Sequence, residues 1–344
     1  MADPKRPITK DMDRQNSDKM KGRVGIVAIG RNEGERLIQC LDSLAPFGLP
    51  VVYVDSASTD DSPAAAKDRG ADVLDLDLTT PFTAARARNE GFERLRSIAP
   101  EIDYVQFVDG DCEVEGGWFA AAVDFLDQHA DISVVCGRRR ERFPDASFYN
   151  KICDLEWNTA IGESDACGGD ALMRVSSLVA VDGYDSSVIA GEEPELCNRM
   201  RAKGMKIWRI DQPMTIHDAA MHHFRQWWLR AVRSGFGYAQ VWWTTRRTGK
   251  ALYGREVARA IFWAVLLPLF FIASALFNPL FLVILPCIYA AQVARIALRQ
   301  GGNQSFSWKL AALNIGGKFG ETLGIFRFII RALKGQQGGA IFYK

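Results

Sequence analysis

The sequence has few features of a disulfide-bonded, zinc-binding or nucleic-acid-binding protein. Its seven cysteines are an odd number, and no two form a CxxC pair, which argues against a disulfide framework and a zinc ribbon. The 42 basic and 41 acidic residues leave a net charge of +1, so no overall positive field favours nucleic acid. Residues 1–22 contain no apolar run, which predicts a flexible polar tail and not a signal peptide.

Common phosphate-binding motifs are missing as well. The turn after the first predicted strand reads IGRNEGE, which is not the GxGxxG pattern of dinucleotide dehydrogenases. GxxxxGK[ST] does not occur, which excludes a P-loop enzyme. A glycine-rich loop with Arg or Lys, as in sugar-phosphate nucleotidyltransferases, is also absent.

Residues 23–115 alternate between strand-like and helical patterns. This alternation predicts a parallel sheet covered by helices, in which ligands bind beyond the carboxyl ends of the strands. Asp55 and Asp109 each end a predicted strand, and Asp111 follows one residue after Gly110. Two carboxylates this close repel each other unless a cation lies between them. The pair is therefore either a solvated strand end or part of a cation site.

Two long apolar segments follow, at residues 257–277 and 280–298, with Asn278-Pro279 as a turn signal between them. Lysines and arginines lie at both outer ends and none at the turn, which predicts a hairpin with both ends in the cytoplasm. Pro268 and Pro286 interrupt the segments, so a re-entrant hairpin is an alternative to a membrane-spanning one. A pair of buried core helices is the third interpretation. Residues 305–333 are typical of an amphipathic helix in the headgroup region.

Five segments resemble family 2 glycosyltransferases of the GT-A fold, in the order seen in that family. They are VVYVDSASTDDS, ARARNEGF, VQFVDGDCEV, CGGDALMRVSSLVAVDGYD and GEEPELCNRMRAKG. The resemblance covers residues 23–217. It implies an α/β fold with a Rossmann-like mixed sheet sandwiched by helices, here followed by a C-terminal membrane-associated helical region. We therefore expect a tail (1–22), a catalytic domain (23–225), interfacial linker helices (226–256), a transmembrane or re-entrant hairpin (257–300) and an amphipathic segment (301–344).

The resemblance also implies a donor site for a UDP- or GDP-linked sugar and a Mn²⁺ or Mg²⁺ ion. Asp109 and Asp111 match the family's D-x-D motif and are the expected metal-site carboxylates. Asp109 is expected to contact the ribose or a metal-bound water, and Asp111 to bind the metal that bridges the phosphates. His217 is either a third metal ligand or a structural histidine. The remaining donor-side residues are Asp55 against the nucleotide base, Arg86 or Arg88 with Asn89 near the donor, and Asp170 at the sugar hydroxyls.

GEEPELCNR resembles the family's G-E-D-x-D-L-x-x-R, with glutamates in place of both aspartates. Glu193 is the predicted general base for the acceptor hydroxyl, Glu192 competes for that role, and Arg199 could orient the pair. An acidic first turn that complements the helix dipole is the alternative. The expected acceptor-side residues are Gly168 and Gly169, with Trp227, Trp228, Arg230 and Arg233 on the lipid side.

The predicted function is transfer of one sugar, with inversion, to a hydroxyl of a lipid or lipid-linked acceptor in envelope polysaccharide or glycolipid synthesis. The expected location is the inner membrane of a bacterium, with the catalytic domain facing the cytoplasm. The Q-x-x-R-W motif of processive synthases is not matched, which favours a single transfer over polymerisation. The alternatives are a polyprenyl-phosphate sugar synthase and a non-enzymatic, membrane-bound scaffold that binds nucleotide sugars.

Overall fold

The computed structural model describes residues 20–77, 79–80, 82–247, 250–302 and 304–335. The chain divides into two compact units. The first comprises Met1–Ser187 and Glu192–Ala220, and the second comprises Val188–Gly191 and Met221–Lys344. Most of the expected tail at residues 1–22, and the amphipathic segment beyond residue 335, lie outside the described residues.

Four parallel strands form one half of a nine-stranded sheet in the first unit. In spatial order they are β3 (Asp72–Asp75), β2 (Val51–Asp55), β1 (Val24–Gly30) and β4 (Tyr104–Asp109). The connecting helices are α1 (Glu35–Leu44), α2 (Ser62–Asp68) and α3 (Ala84–Ile98). Runs of Val and Ile bury β1 on both faces, as a parallel sheet covered by helices requires.

The other half of the sheet is mixed. Its strands are β5 (Cys112–Val114), β6 (Ile132–Glu141), β7 (Gly162–Ser164), β8 (Ala171–Arg174) and β9 (Lys206–His217). β8 pairs antiparallel with β4 and β6, β9 runs parallel to β6, and β5 and β7 pair antiparallel with β9. The remaining helices of the unit are α4 (Trp118–Gln128), α5 (Phe148–Glu156), α6 (Val175–Ala180) and α7 (Glu192–Ala202). The expected mixed sheet with flanking helices is confirmed.

Strand pairing brings distant parts of the sequence to one edge of this sheet. Phe107 of β4 pairs with Ala171 of β8, so the residues just beyond this pair, Asp109 and Asp170, are neighbours. Cys112 of β5 pairs with His217 of β9. The acidic segment after β4 therefore lies against the end of β9.

The second unit is helical. Its helices are α8 (Phe224–Thr245), α9 (Gly254–Ile261), α10 (Leu267–Ala275), α11 (Phe281–Arg299) and α12 (Ser305–Leu333), with a π-helical segment (Phe262–Leu266) between α9 and α10. Gly254–Ala275 and Phe281–Arg299 are long and apolar enough to cross a membrane, judged by length and composition alone. The two apolar segments expected from the sequence are thus both helical.

Glycines in α8 and α12 allow the two helices to approach each other closely. A Cβ atom on Gly324 would overlap the backbone carbonyl of Val232, and one on Gly235 would overlap the backbone of Glu321. Glycine weakens an isolated helix, but here its missing side chain creates the space that the neighbouring helix fills. This packing explains a 29-residue helix in a glycine-rich sequence.

Candidate active site

Several charged side chains lie close together at the ends of β4 and β9 and at the start of β8. Asp109 ends β4, Asp170 directly precedes β8, and His217 ends β9. Asp111 lies in the turn between β4 and β5. Open α/β sheets bind ligands at such strand ends. This edge of the first unit is therefore the candidate active site.

Asp109 is held by two arginines. Its Oδ1 accepts a hydrogen bond from Arg88 Nη2 at 2.9 Å, and its Oδ2 accepts one from Arg139 Nη2 at 3.3 Å. Burial on its own raises the pKa of Asp109, but the two guanidinium charges outweigh burial, and the pKa of Asp109 is lowered. Asp109 is therefore an anion at neutral pH.

Asp170 fixes the positions of Asp109 and Arg139. It is fully buried. Its Oδ1 accepts from the backbone N–H of Asp109 at 3.0 Å, and its Oδ2 accepts from Arg139 Nε at 2.9 Å and from Thr215 Oγ1 at 2.7 Å. These donors compensate the cost of burying the carboxylate. Both oxygens of the residue expected to contact donor-sugar hydroxyls are thus engaged by protein groups.

Arg88 connects the strand ends to α7. Its Nη1 donates to Glu192 Oε1 at 2.9 Å, and its Nη2 lies 3.2 Å from Glu193 Oε1. The Arg88 side chain is 3% exposed, so its charge depends on these carboxylates and on Asp109 for compensation. The entrance of α7 therefore faces the acidic strand ends.

The two glutamates at the start of α7 are both sheltered from solvent, with side-chain exposures of 6% for Glu192 and 14% for Glu193. Burial and the charge of Glu192 raise the pKa of Glu193 to about 7, although Arg88 lowers it. A carboxylate that titrates near neutrality is suited to accept a proton from a hydroxyl group. The expectation that Arg199 orients this pair is wrong, because Arg199 pairs with Glu195 at 2.8 Å.

Asp111 and His217 offer a site for a divalent cation. His217 Nε2 lies 3.1 Å from Asp111 Oδ2, and adjacent ligands of an octahedral Mg²⁺ are separated by about 3 Å. The His217 Nδ1 atom is buried and has no hydrogen-bond partner. Ligand atoms of Asp111, Cys112 and His217 lie within 4.8 Å of one another, as do those of Asp109, Cys112 and Asp170. The oxygen and nitrogen ligands of Asp111 and His217 therefore fit Mn²⁺ or Mg²⁺. Asp109 belongs to the second of these two groups, which shares Cys112 with the first.

Gly169 is required by close packing at the site. A Cβ atom there would lie 2.6 Å from Asp109 Oδ2 and 2.7 Å from Arg88 Nη2. At Gly168 the same construction meets nothing within 4 Å. Gly169 thus permits the Asp109–Arg88 contact, and Gly168 leaves open space beside it.

Asp55 lies at the end of β2 and is buried. Its Oδ2 accepts from the backbone N–H of Ser58 at 2.7 Å, and its Oδ1 accepts from the Ser58 hydroxyl at 2.6 Å and from the Tyr53 hydroxyl at 3.1 Å. These contacts hold Asp55 as the anchor of the polar turn that follows β2.

Arg86 and Asn89 brace the loops around α3. Arg86 Nη1 donates to the carbonyls of Asp77 and Thr80 at 2.9 and 2.8 Å. The Asn89 side chain donates to the Tyr184 carbonyl at 2.7 Å and accepts from the Tyr184 N–H at 2.8 Å. Of the three predicted donor-side residues on α3, Arg88 is therefore the one that contacts the acidic strand ends.

The four residues expected on the lipid side all lie on α8 in the second unit. They are Trp227, Trp228, Arg230 and Arg233. Trp227 is buried, and its ring contacts Phe224 at a centroid distance of 5.4 Å.

Arg139 belongs to the site although it was not predicted from the sequence. It contacts Asp109 and Asp170 and lies over the ring of Trp157 at 5.6 Å. The Trp157 ring in turn meets His217 edge-on at 4.7 Å. The available signal was the run of three arginines at residues 138–140, in a strand that is otherwise buried at its start.

Comparison with known proteins assigns the class. Residues 26–178 match the model of Glycosyl transferase family 2. The structure is similar to that of a mannosyltransferase, PcManGT from Pyrobaculum calidifontis, in complex with GDP-Man and Mn²⁺, with a TM-score of 0.57 and 18% identity over 88% of this chain and 87% of that one. No curated protein matches the chain in sequence.

Two further solved structures are similar at lower scores. Residues 1–349 of TarS from S. aureus give a TM-score of 0.46 and 13% identity, covering 89% of this chain and 91% of that one. Glucosyl-3-phosphoglycerate synthase from Mycobacterium tuberculosis gives 0.48 and 17%, covering 68% of this chain and 84% of that one. The family match therefore covers residues 26–178 of the first unit, and the mixed sheet with flanking helices is of the GT-A type. The protein is accordingly an enzyme of the glycosyltransferase class.

Proposed function

We propose that this glycosyltransferase moves one sugar, with inversion, from a UDP- or GDP-linked donor to a hydroxyl of a lipid or lipid-linked acceptor. The observation that carries this proposal is Glu193, a sheltered carboxylate at the entrance of α7 whose pKa is raised to about 7. Such a group accepts the proton of an attacking hydroxyl at neutral pH. A phosphate acceptor, already ionised, would need little help of this kind.

The donor would lie along the strand ends, with Asp55 against the nucleotide base and Asp109 at the ribose. Asp111 and His217 would hold the divalent cation, and Asp109 lies in the adjoining group. The cation, when bound, neutralises the charge that develops on the departing diphosphate. The PcManGT complex with GDP-Man and Mn²⁺ supports this combination of ligands.

The chain's own residues would then act as follows. Glu193 takes the proton from the acceptor hydroxyl, whose oxygen forms a bond to the anomeric carbon as the bond to the diphosphate breaks. Arg88 keeps Glu193 beside the strand ends, since it contacts Glu193 and Asp109 with the same Nη2 atom. Asp170 and Arg139 hold Asp109 in place.

The membrane part of the proposal is supported by the two long apolar helices of the second unit. Basic residues flank them at both outer ends, which favours the inner membrane with the first unit on the cytoplasmic side. In this arrangement Trp227, Trp228, Arg230 and Arg233 would face the lipid acceptor, because Trp and Arg suit an interface that carries phosphate groups.

The proposal is tested with detergent-solubilised full-length protein and a panel of UDP- and GDP-sugars, with and without Mn²⁺. Release of the nucleoside diphosphate should require Mn²⁺ and should rise when a hydroxyl-bearing glycolipid is added. Stimulation by a polyprenyl phosphate and not by the glycolipid would assign the phosphate acceptor instead. Failure to bind any nucleoside diphosphate in the presence of Mn²⁺ would favour a non-enzymatic scaffold.

A further inference from the structure

The turn of the helical hairpin between α10 and α11 is strongly apolar and exposed. Leu276 is 86% exposed, Phe277 is 92% exposed and Leu280 is 64% exposed. Turns at a protein–water boundary are normally polar, and an apolar surface of this kind marks a contact with another apolar phase. The tip of the hairpin therefore has the character of a surface that contacts an apolar phase.

The backbone N–H groups of this turn need no water. Each backbone N–H group from residue 276 to residue 284 donates a hydrogen bond inside the turn or the adjoining helices, and residue 279 is proline. The Asn278 side chain contributes by accepting from the Leu280 N–H at 3.0 Å. The Ser274 hydroxyl donates to the Phe270 carbonyl at 2.8 Å. Paired backbone donors of this kind suit the hydrocarbon interior, where no water can accept from them.

A side-chain hydrogen bond also ties the two arms together. In the π-helical turn, the Trp263 carbonyl would accept from the backbone nitrogen of residue 268, which is Pro268 and has no N–H. The Tyr289 hydroxyl of α11 donates to this carbonyl instead. The Trp263 carbonyl, which the proline deprives of a backbone donor, therefore has a side-chain donor.

The uncharged parts of the arms are shorter than a membrane span. Even if wholly α-helical, residues 260–277 would measure about 27 Å. Residues 280–294 would measure about 22 Å, against a hydrocarbon core of about 30 Å. Arg259 and Arg295 close the two stretches on the same side. From residue 246 to residue 299 the sequence carries seven basic residues and one acidic residue, Glu256, so the base of the hairpin complements anionic headgroups.

We propose that α9 to α11 form a re-entrant hairpin, which enters an anionic bilayer from one side and ends with the turn at residues 276–280 inside the hydrocarbon. The enzyme then contacts one membrane surface only. This inference deepens the membrane part of the proposed function, but it does not depend on sugar transfer. Labelling of the turn tests the hairpin, and donor hydrolysis tests the transfer.

The experiment uses full-length protein reconstituted into phosphatidylcholine–phosphatidylglycerol vesicles. Cys287 is the one exposed cysteine of the seven, so Cys287→Ser gives a background into which Asn278→Cys introduces a single accessible thiol. A membrane-impermeant maleimide is added outside the vesicles or trapped inside them. External trypsin identifies the molecules whose first unit faces outward. Gln300→Cys, at the end of α11, is the matched control at the base of the hairpin.

In outward-facing molecules we expect Gln300→Cys to be labelled from outside and Asn278→Cys to lose labelling from both sides. A bimane on residue 278 should be quenched best by lipids that carry the nitroxide near the end of the acyl chain. Labelling of residue 278 by the trapped reagent would show that the hairpin crosses the bilayer, and external labelling as fast as in detergent would show that it does not insert. Either result overturns the proposal. Leu276→Cys repeats the test without removing the Asn278 hydrogen bond.

Discussion

Glu193→Gln is the most informative single substitution in the site. Glutamine keeps the size and shape of the side chain but cannot accept a proton, and general-base catalysis contributes about 10²–10⁴-fold to a rate. We expect kcat for transfer to a hydroxyl acceptor to fall by about that factor. KM for the nucleotide sugar should change little, because the donor is assigned to Asp55, Asp109 and the cation ligands.

The raised pKa of Glu193 also predicts the pH dependence. Only the ionised carboxylate accepts a proton, so the rate should fall about tenfold per pH unit below about 7, with the midpoint set by the pKa of about 7. The value in the unfolded chain is 4.5, so the ionised form is less stable in the fold. Stability should therefore decline as pH rises from 4.5 through 7, by about 3 kcal/mol in total.

Removing the charge should reverse that loss. At pH 8 Glu193→Gln is expected to unfold at a higher temperature than the native protein, whereas at pH 4, where Glu193 is neutral, the two should be similar. Thermal unfolding by tryptophan fluorescence and steady-state release of nucleoside diphosphate measure the two effects separately. A variant that is inactive and also less stable at pH 8 would refute the electrostatic reasoning, because it would indicate damage to the fold.

Glu192→Gln is the matched control for this substitution. Glu192 pairs with Arg88 Nη1 at 2.9 Å, so its loss should lower stability and leave most of the turnover. If Glu192→Gln abolished turnover and Glu193→Gln did not, Glu192 would be the general base and Glu193 would have the structural role. Near-normal turnover of Glu193→Gln with a polyprenyl phosphate would indicate an acceptor that needs no base.

Three further substitutions, two of them with a matched control, test other parts of the structure. Asp111→Asn should abolish Mn²⁺-dependent turnover with an unchanged circular dichroism spectrum, and retention of most activity would remove Asp111 from the ligand set. Gly169→Ala should impair donor hydrolysis at least tenfold, by about 1.4 kcal/mol or more, because its Cβ would press on Asp109 and Arg88; Gly168→Ala, which meets open space, should stay near the native rate. Gly324→Ala should destabilise the helical unit by about 1–3 kcal/mol in denaturant unfolding monitored by fluorescence. Gly316→Ala, also in open space, should stabilise it by about 0.5–1 kcal/mol, and equal effects of the two substitutions would contradict the close α8–α12 packing.

The sequence allowed prediction of the parallel half of the sheet because its signals are local. Apolar runs of strand length alternate with helical spacing, and β1, β2 and β3 pair in the order in which they follow along the chain. Only β4 returns to pair with β1. The mixed half depends on pairings between distant strands, such as β6 with β9, which no local pattern records. Local patterns of this kind also predicted that β2 ends at Asp55 and that β4 ends at Asp109.

The network that joins the site residues could not be predicted in the same way. Arg88 is one of two arginines in ARARN, and periodicity does not tell which of them turns toward the strand ends. The structure directs Arg86 to the loop carbonyls of Asp77 and Thr80, and Arg88 to Asp109 and α7. Arg139 lies on β6, and no sequence pattern indicates that this strand is close to the D-x-D segment.

The balance of charge in the site explains why donor and cation should bind together. The site contains five carboxylates and two guanidinium groups. The carboxylates are those of Asp109, Asp111, Asp170, Glu192 and Glu193, and the guanidinium groups are those of Arg88 and Arg139. A nucleoside diphosphate alone would add further negative charge to this excess and would be repelled. A divalent cation alone would relieve part of it but would retain open coordination positions, which phosphate oxygens fill well. The arrangement therefore favours the cation–diphosphate pair over either component. Burial is the main cause of the raised pKa of Glu193, and the negative charges of Glu192 and Asp109 add to it.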